Sequence, residues 1–220
     1  MPDPKELTRL HENLNLHYPK SYLNAWAAGV RPDWATFLFK VFKVKPKIRN
    51  SVTMTAVIYL KEDVPALLES ENLIVMDLGC GPSICNIISA SLCSHHIYMA
   101  ELLEGNRQEI IKFLCNDTDA WNWTPYFEFQ VKLVLCSRRY IVILNVTFKT
   151  TLEENEDISS IEKRVRKSIT GIIECNLATE EVFEEGSFNK KVDVLICSLV
   201  YDVVCTDVSS LETVMRRSLR

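Results

Sequence analysis

The feature that most limits what this chain can fold into lies at residues 72–92. Residues 72–76, NLIVM, form a short apolar run that leads straight into DLGCGPS. A short apolar run closed by glycines reads as a buried parallel strand rather than a helix. Residues 83–92 follow with Ile84, Ile87, Ile88 and Leu92 on one stripe, the period of a helix. Between them, Gly79 and Gly81 let the backbone turn tightly and approach a ligand closely. The helix expected after Pro82 aims its free N–H groups into that turn, which favours an anionic group. Glu101 follows about 20 residues later, where folds of this kind place an acid on ribose hydroxyls. A lone G-x-G reads more readily as a plain tight turn. The strand before it, the helix after it and the acid at that spacing together favour a nucleoside site.

The rest of the chain repeats the alternation. Helices are expected at 19–28, with Pro19 at the first position, at 33–43, with Asp33 as N-cap, and at 54–69. Strands are expected at 96–100, 171–175 and 192–198, and further helices at 104–115 and 157–169. Strands alternating with helices predict an α/β fold with a parallel sheet of βαβ units.

Charge and cysteine usage narrow the function classes. The formal net charge is −4, from 25 basic and 29 acidic side chains, which gives no electrostatic reason to expect nucleic acid or anionic lipid. The eight cysteines form no C-x-x-C pair and no zinc-like cluster with histidines, so no metal is expected. The N-terminus, MPDPKELTRLHENL, lacks the apolar core of a secretion signal. Scattered thiols without such a signal read as reduced, cytosolic and mostly buried small hydrophobes. On that reading the N-x-T triplets at Asn116, Asn122 and Asn145 are chance matches. No stretch supplies the about 20 apolar residues of a membrane helix. A monomer is expected.

The glycine turn also bears on which nucleoside. A dinucleotide fingerprint has a third small residue where this chain has Ile84, and Pro82 stiffens the turn. A carboxylate, such as the methionine end of S-adenosylmethionine, needs less room than a pyrophosphate. The residues favour the methyl donor over a nicotinamide cofactor, which stays as a distant alternative.

Several segments resemble one known family. VMDLGCGPSICNIISA is similar to the glycine loop of the nicotinamide, phenylethanolamine and indolethylamine N-methyltransferases. ELLEGNRQEIIKFL resembles their second-strand acid and the helix after it, DAWNWTPYFEF their tryptophan-bearing stretch, and HYPKSYLNAWA their N-terminal tyrosine motif. IIECNLA and VDVLICSLVYDVVCTDVSSL resemble their third and fourth strands with the adjoining loops. The resemblance implies a Rossmann-like class I methyltransferase domain over 71–220 and an N-terminal helical lid over 1–70. It implies S-adenosyl-L-methionine as cofactor and a small amine or pyridine, nicotinamide-like, as substrate. Tyr22 then matches the first tyrosine of the lid, touching cofactor and substrate. Asp77 opens the loop in which Gly79 and Gly81 lie under the methionine part. Glu101 matches the ribose acid, usually Asp, and Asn106 an asparagine near the ribose. Asn176 and Leu177 match the pair beside the adenine, usually Asp-Val. Ser198 matches a small polar residue near the methionine end, and Asp202 an acid at the substrate site. From the residues alone, Asp202 reads equally as a helix N-cap or solvated loop acid, and Tyr22 as a core tyrosine.

The chain departs from the family pattern in places. Ala27 stands where the lid has a further tyrosine, Leu102 where an aromatic residue packs on the cofactor, and Asn176 where an acid meets the adenine amino group. Residues 131–149, VKLVLCSRRYIVILNVTFK, have no family counterpart and are apolar and basic. Val131-Lys132 can be encoded beginning GT-A-A and Phe148-Lys149 ending in AG, the ends of an intron read in frame. The family pattern runs on through roughly three further strands after the helix that follows the fourth. The sheet is therefore expected to hold only the first four strands, with the fourth at an open edge. Two alternatives to an active N-methyltransferase follow: a catalytically inactive protein that binds S-adenosylmethionine or its product, and a non-functional gene-model fragment.

Overall fold

A computed structural model describes residues 19–27, 56–60, 73–92, 94–132, 156–198, 200–205 and 207–218, with backbone only at 26, 27, 56–60, 202 and 203. The helix expected at 33–43 and most of the unusual segment 131–149 lie outside the described residues. In chain order, helix α1 spans 19–27 and β1 spans Ala56–Leu60. Then come β2 (Ile74–Leu78), α2 (Cys85–Ala90), β3 (His96–Ala100), α3 (Glu104–Leu114) and α4 (124–132). The described chain closes with α5 (Ile158–Ser168), β4 (Ile169–Ile173), β5 (Val194–Ser198), α6 (Val200–Val204) and α7 (Val208–Ser218).

The five strands form one sheet in the order β1-β5-β2-β3-β4. Strands β5, β2, β3 and β4 run parallel to their neighbours, the arrangement that βαβ units impose. Each parallel strand sorts its side chains by the two-residue period of the pleat. Val75, Ile97, Met99, Val194 and Ile196 face a core completed by Leu23, Ile84, Ile87, Phe113, Phe127 and Ile161. Met76, Leu78, Tyr98, Ala100, Leu195 and Cys197 face the opposite core, closed by Leu177, Val182, Tyr201 and Val214. Both faces of the sheet are covered, which is why its strands read as continuous apolar runs. The sheet with helices on its faces is the α/β arrangement expected from the alternation, and it fits the Rossmann-like domain that the resemblance implies.

Strand β1 overturns one expectation. The helix read over 54–69 is instead, at 56–60, a strand paired antiparallel with β5, Ala56 opposite Ser198 and Leu60 opposite Val194. AVIYL is rich in β-branched and aromatic residues, which suit a pleated surface. Its partner lies far along the chain, so no local period announces the pairing. The β5 edge expected to be open is accordingly covered by β1.

Other boundaries move by about a turn or less. β2 begins two residues later than expected and β4 two earlier, while α2 is shorter than the apolar stripe suggested. Helix α4 carries no expectation from the sequence, because its apolar positions run directly into segment 131–149. Helix α5 starts at its N-cap Asp157, whose carboxylate accepts from Ser160 N at 2.8 Å. The thiols of Cys80, Cys175 and Cys197 are buried, and burial pushes Cys175 and Cys197 up to about 12. They are inert apolar fillers, whereas Cys115 is exposed.

Candidate functional site

The candidate site forms where the parallel strands end. β3 lies on one side of β2 and β5 on the other, so the chain reverses direction across the sheet at β2. Open α/β sheets bind ligands in the crevice outside the carboxyl ends of the strands at such a switch point. The glycine turn occupies that position.

Gly79 and Gly81 have φ of +65° and +61°, the left-handed region that other residues enter at a cost. The turn is pinned to the end of β3. Gly79 N and Cys80 N both donate to Ala100 O, at 2.8 and 3.2 Å, and Gly81 N donates to Glu101 Oε2 at 3.0 Å. The expected free N–H groups of the following helix are a correction. Helix α2 starts only at Cys85, and Cys85 N is taken by Ser83 Oγ at 3.2 Å. The donors of the glycine turn point inward to β3, because β2 and β3 end side by side and Ala100 and Glu101 present acceptors there.

The two glycines differ in what surrounds them. A Cβ on Gly79 would lie 2.2 Å from Val200 Cγ2 and 2.5 Å from Val200 Cβ, so α6 packs directly on this backbone. Gly79→Ala is therefore expected to destabilise the fold by about 2–4 kcal/mol, combining overpacking with left-handed strain. At Gly81 the nearest atom to such a Cβ is Tyr22 Cε1 at 4.0 Å, so Gly81→Ala is expected to cost about 1 kcal/mol. Urea midpoints of the two variants check the difference; equal costs would contradict the packing described.

Glu101 is nearly buried, and its carboxylate has three donors. Oε2 accepts from Gly81 N, while Oε1 accepts from Leu103 N at 2.9 Å and Asn106 Nδ2 at 3.0 Å. Asn106 sits in the first turn of α3, and its Oδ1 is buried without a hydrogen-bond partner among the described residues. A buried acceptor with no partner beside a fixed carboxylate is what a bound diol would satisfy. Arg107, which the sequence reading passed over, fixes the backbone of this corner. Its Nη1 donates to Glu101 O at 2.8 Å and Leu102 O at 2.6 Å, and its Nη2 reaches Glu174 at 2.9 Å. The signal was present as the residue after Asn106, on the same first helical turn.

Asp77 is fully buried on the face of α2. Asn86 Nδ2 donates to both its oxygens, at 3.2 and 3.1 Å. Burial pushes the Asp77 carboxyl up to about 8, the Asn86 amide works against that, and the nearby Glu101 charge adds to it. The sequence reading missed Asn86.

The remaining expected residues are more dispersed. Tyr22, from α1, lies beside Gly81 and packs on the core, and the helix continues from Leu23 to Ala27 as a π-turn. Asn176, just past β4, uses Oδ1 to accept from Ala178 N at 3.0 Å, an Asx turn that leaves one lone pair of that oxygen. Leu177 is buried in the core of the opposite face. Ser198 ends β5 and is partly buried. Asp202 falls on α6, but its side chain lies outside the described residues. Leu102 is 40% exposed at the rim, so it offers an apolar surface but no ring. Among the described residues no group of acids, histidines and cysteines is placed to hold a metal ion, and no helix there is long and apolar enough to cross a membrane.

The indolethylamine N-methyltransferase of Oryctolagus cuniculus is 29% identical over 99 residues, 44% of this chain and 37% of that protein. The human phenylethanolamine N-methyltransferase is 41% identical over 54 residues, 24% of this chain and 18% of that protein. The human nicotinamide N-methyltransferase is 22% identical over 136 residues, 61% of this chain and 44% of that protein. The chain thus spans less than half the length of these relatives. A family model described as NNMT/PNMT/TEMT family matches residues 35–220, which include the glycine turn, Glu101, Asn106 and the ends of β4 and β5. With that match spanning most of its length, the chain belongs to the NNMT/PNMT/TEMT family.

Proposed function

We propose that this chain forms the S-adenosylmethionine-binding part of an N-methyltransferase acting on a small amine or a nicotinamide-like pyridine. S-Adenosyl-L-methionine is the methyl donor of the family. The observation that carries the reading is the coupling of Gly81 N to Glu101 Oε2 at 3.0 Å, with Asn106 Oδ1, unpaired among the described residues, beside it. Such a corner offers two acceptors to the hydroxyls of a ribose. When bound, the cofactor supplies a methyl carbon already activated by its sulfonium, so the protein contributes mainly orientation and exclusion of water.

The residues divide that work. Asp77, Gly79 and Gly81 shape the floor under the methionine end, with Ser198 at the neighbouring strand end. Glu101 and Asn106 would hold the sugar. Asn176 would offer an acceptor to the adenine, and Leu177 backs that loop from the core. Tyr22 covers the glycine turn and orients the acceptor. Asp202 holds an aliphatic amine by a charge-assisted hydrogen bond. A cytosolic monomer fits the charge balance and the scattered thiols.

The test has two stages. Calorimetry with S-adenosylhomocysteine is expected to show one binding site per chain. A screen with radiolabelled methyl donor over amines and pyridines then reports transfer. Binding without transfer is the result expected of an inactive binding protein, which the exposed Leu102 and the residue Ala27 favour. No binding at all would sink the cofactor reading.

A further inference from the structure

Helix α1 meets the body of the protein through contacts of different character, with Tyr22 packed on the core and Pro19 buried. Leu23 is fully buried in the core beneath the sheet. Lys20, one helical turn earlier, places Nζ 2.9 and 2.8 Å from the two oxygens of Asp119, in the loop between α3 and α4. Asp119 also accepts from Lys112 Nζ at 3.1 Å, and Lys112 in turn pairs with the buried Glu109 at 2.6 Å. The loop itself is preset, because Asp119 N donates to Asp117 Oδ1 at 2.8 Å. The lid helix is therefore tied by a chain of charges, Lys20–Asp119–Lys112–Glu109, to the same helix that carries Asn106 and Arg107.

The contacts do different things. Burial of Leu23, with Tyr22 packed beside it, holds one face of α1 to the core without setting a bond direction. The ion pair is directional, since one ammonium meets both oxygens of one carboxylate. Lys20 and Leu23 lie on the same side of the helix, and Tyr22 projects about 100° away from Leu23. The ion pair adds a directional restraint to the packing of Tyr22, whose ring lies over Gly81.

We propose that Asp119 is a positioning residue, which through Lys20 seats α1 so that Tyr22 lies over the glycine turn. Lys20 and Asp119 are both more than half exposed, so salt screens their attraction and the seating of α1 weakens as ionic strength rises. Lid closure over the nucleoside site is thereby tuned by a surface charge pair remote from the ligand.

Amide hydrogen exchange of a peptide covering residues 19–27 tests this in the ligand-free full chain. At low salt Asp119→Asn is expected to exchange about two- to five-fold faster there than the unchanged chain. The difference is expected to vanish near about 1 M salt, where screening acts within a few ångströms. Asp119→Glu is expected to restore protection, and Arg216→Gln, which removes an unrelated exposed pair on α7, to leave it unchanged. A second arm rests on the cofactor reading: affinity for S-adenosylhomocysteine is expected to fall by a similar factor in Asp119→Asn, with unchanged global unfolding. Unchanged exchange in Asp119→Asn overturns the proposal. So does faster exchange with unaltered affinity in a chain that binds. Failure of every variant, including the unchanged chain, to bind the probe defeats the cofactor reading, while the exchange arm still decides the role of Asp119.

Discussion

Glu101→Ala is expected to abolish measurable binding of S-adenosylhomocysteine and to destabilise the chain by about 3 kcal/mol. The carboxylate accepts from Gly81 N, Leu103 N and Asn106 Nδ2 in a nearly buried setting. Removing it strands those donors away from water, and hydrogen bonds to a charged acceptor carry more than neutral ones. Glu101→Gln keeps the shape but turns one acceptor into an amide that faces another donor, so it is expected to lie between the two. Glu101→Asp is the informative control, because the family resemblance implies Asp here. It is expected to keep binding within about ten-fold, losing roughly one hydrogen bond. Calorimetry and urea unfolding read both effects. A Glu101→Ala chain that binds and unfolds like the parent removes the site as drawn.

Asp77 predicts a pH dependence of the opposite sense to that of most surface acids. Its carboxyl is raised from 3.8 to about 8 by burial, against the opposing Asn86 bond. Above pH 3.8 the unfolded chain releases this proton while the folded chain keeps it. The folded state is therefore favoured below that value and loses stability as pH rises through the window from about 4 to about 8. The slope reaches at most about 1.4 kcal/mol per pH unit, one proton's worth, and then flattens. Asp77→Asn carries no such proton and is expected to remove this component, so that its urea midpoint gains on the parent as pH rises from 5 to 8. Parallel pH profiles of the two chains would show that Asp77 is ionised in the fold.

Much of the geometry at the candidate site is legible because it rests on short-range sequence. The glycine turn, the strand before it and the acid about 20 residues on are fixed by backbone sterics and by the repeat length of one βαβ unit. Asn106 is singled out by the family resemblance, and the structure sets its amide against Glu101 from the first turn of α3. Arg107 and Asn86 are not singled out, although each lies within the same motifs. What they touch is a backbone carbonyl and a buried carboxylate, and residue type alone does not announce either partner.

The sequence by itself determined the parallel four-strand core and the placement of Gly79, Gly81 and Glu101 at its carboxyl end, because short continuous apolar runs and turn glycines are local properties of the chain. Only the tertiary structure decided that β1 closes the β5 edge, that the turn's N–H groups are spent on Ala100 and Glu101, and that Lys20 meets Asp119 across 99 positions of sequence. Those are pairings between distant segments. Their partners are selected by which surfaces packing brings together, and no local pattern encodes that choice.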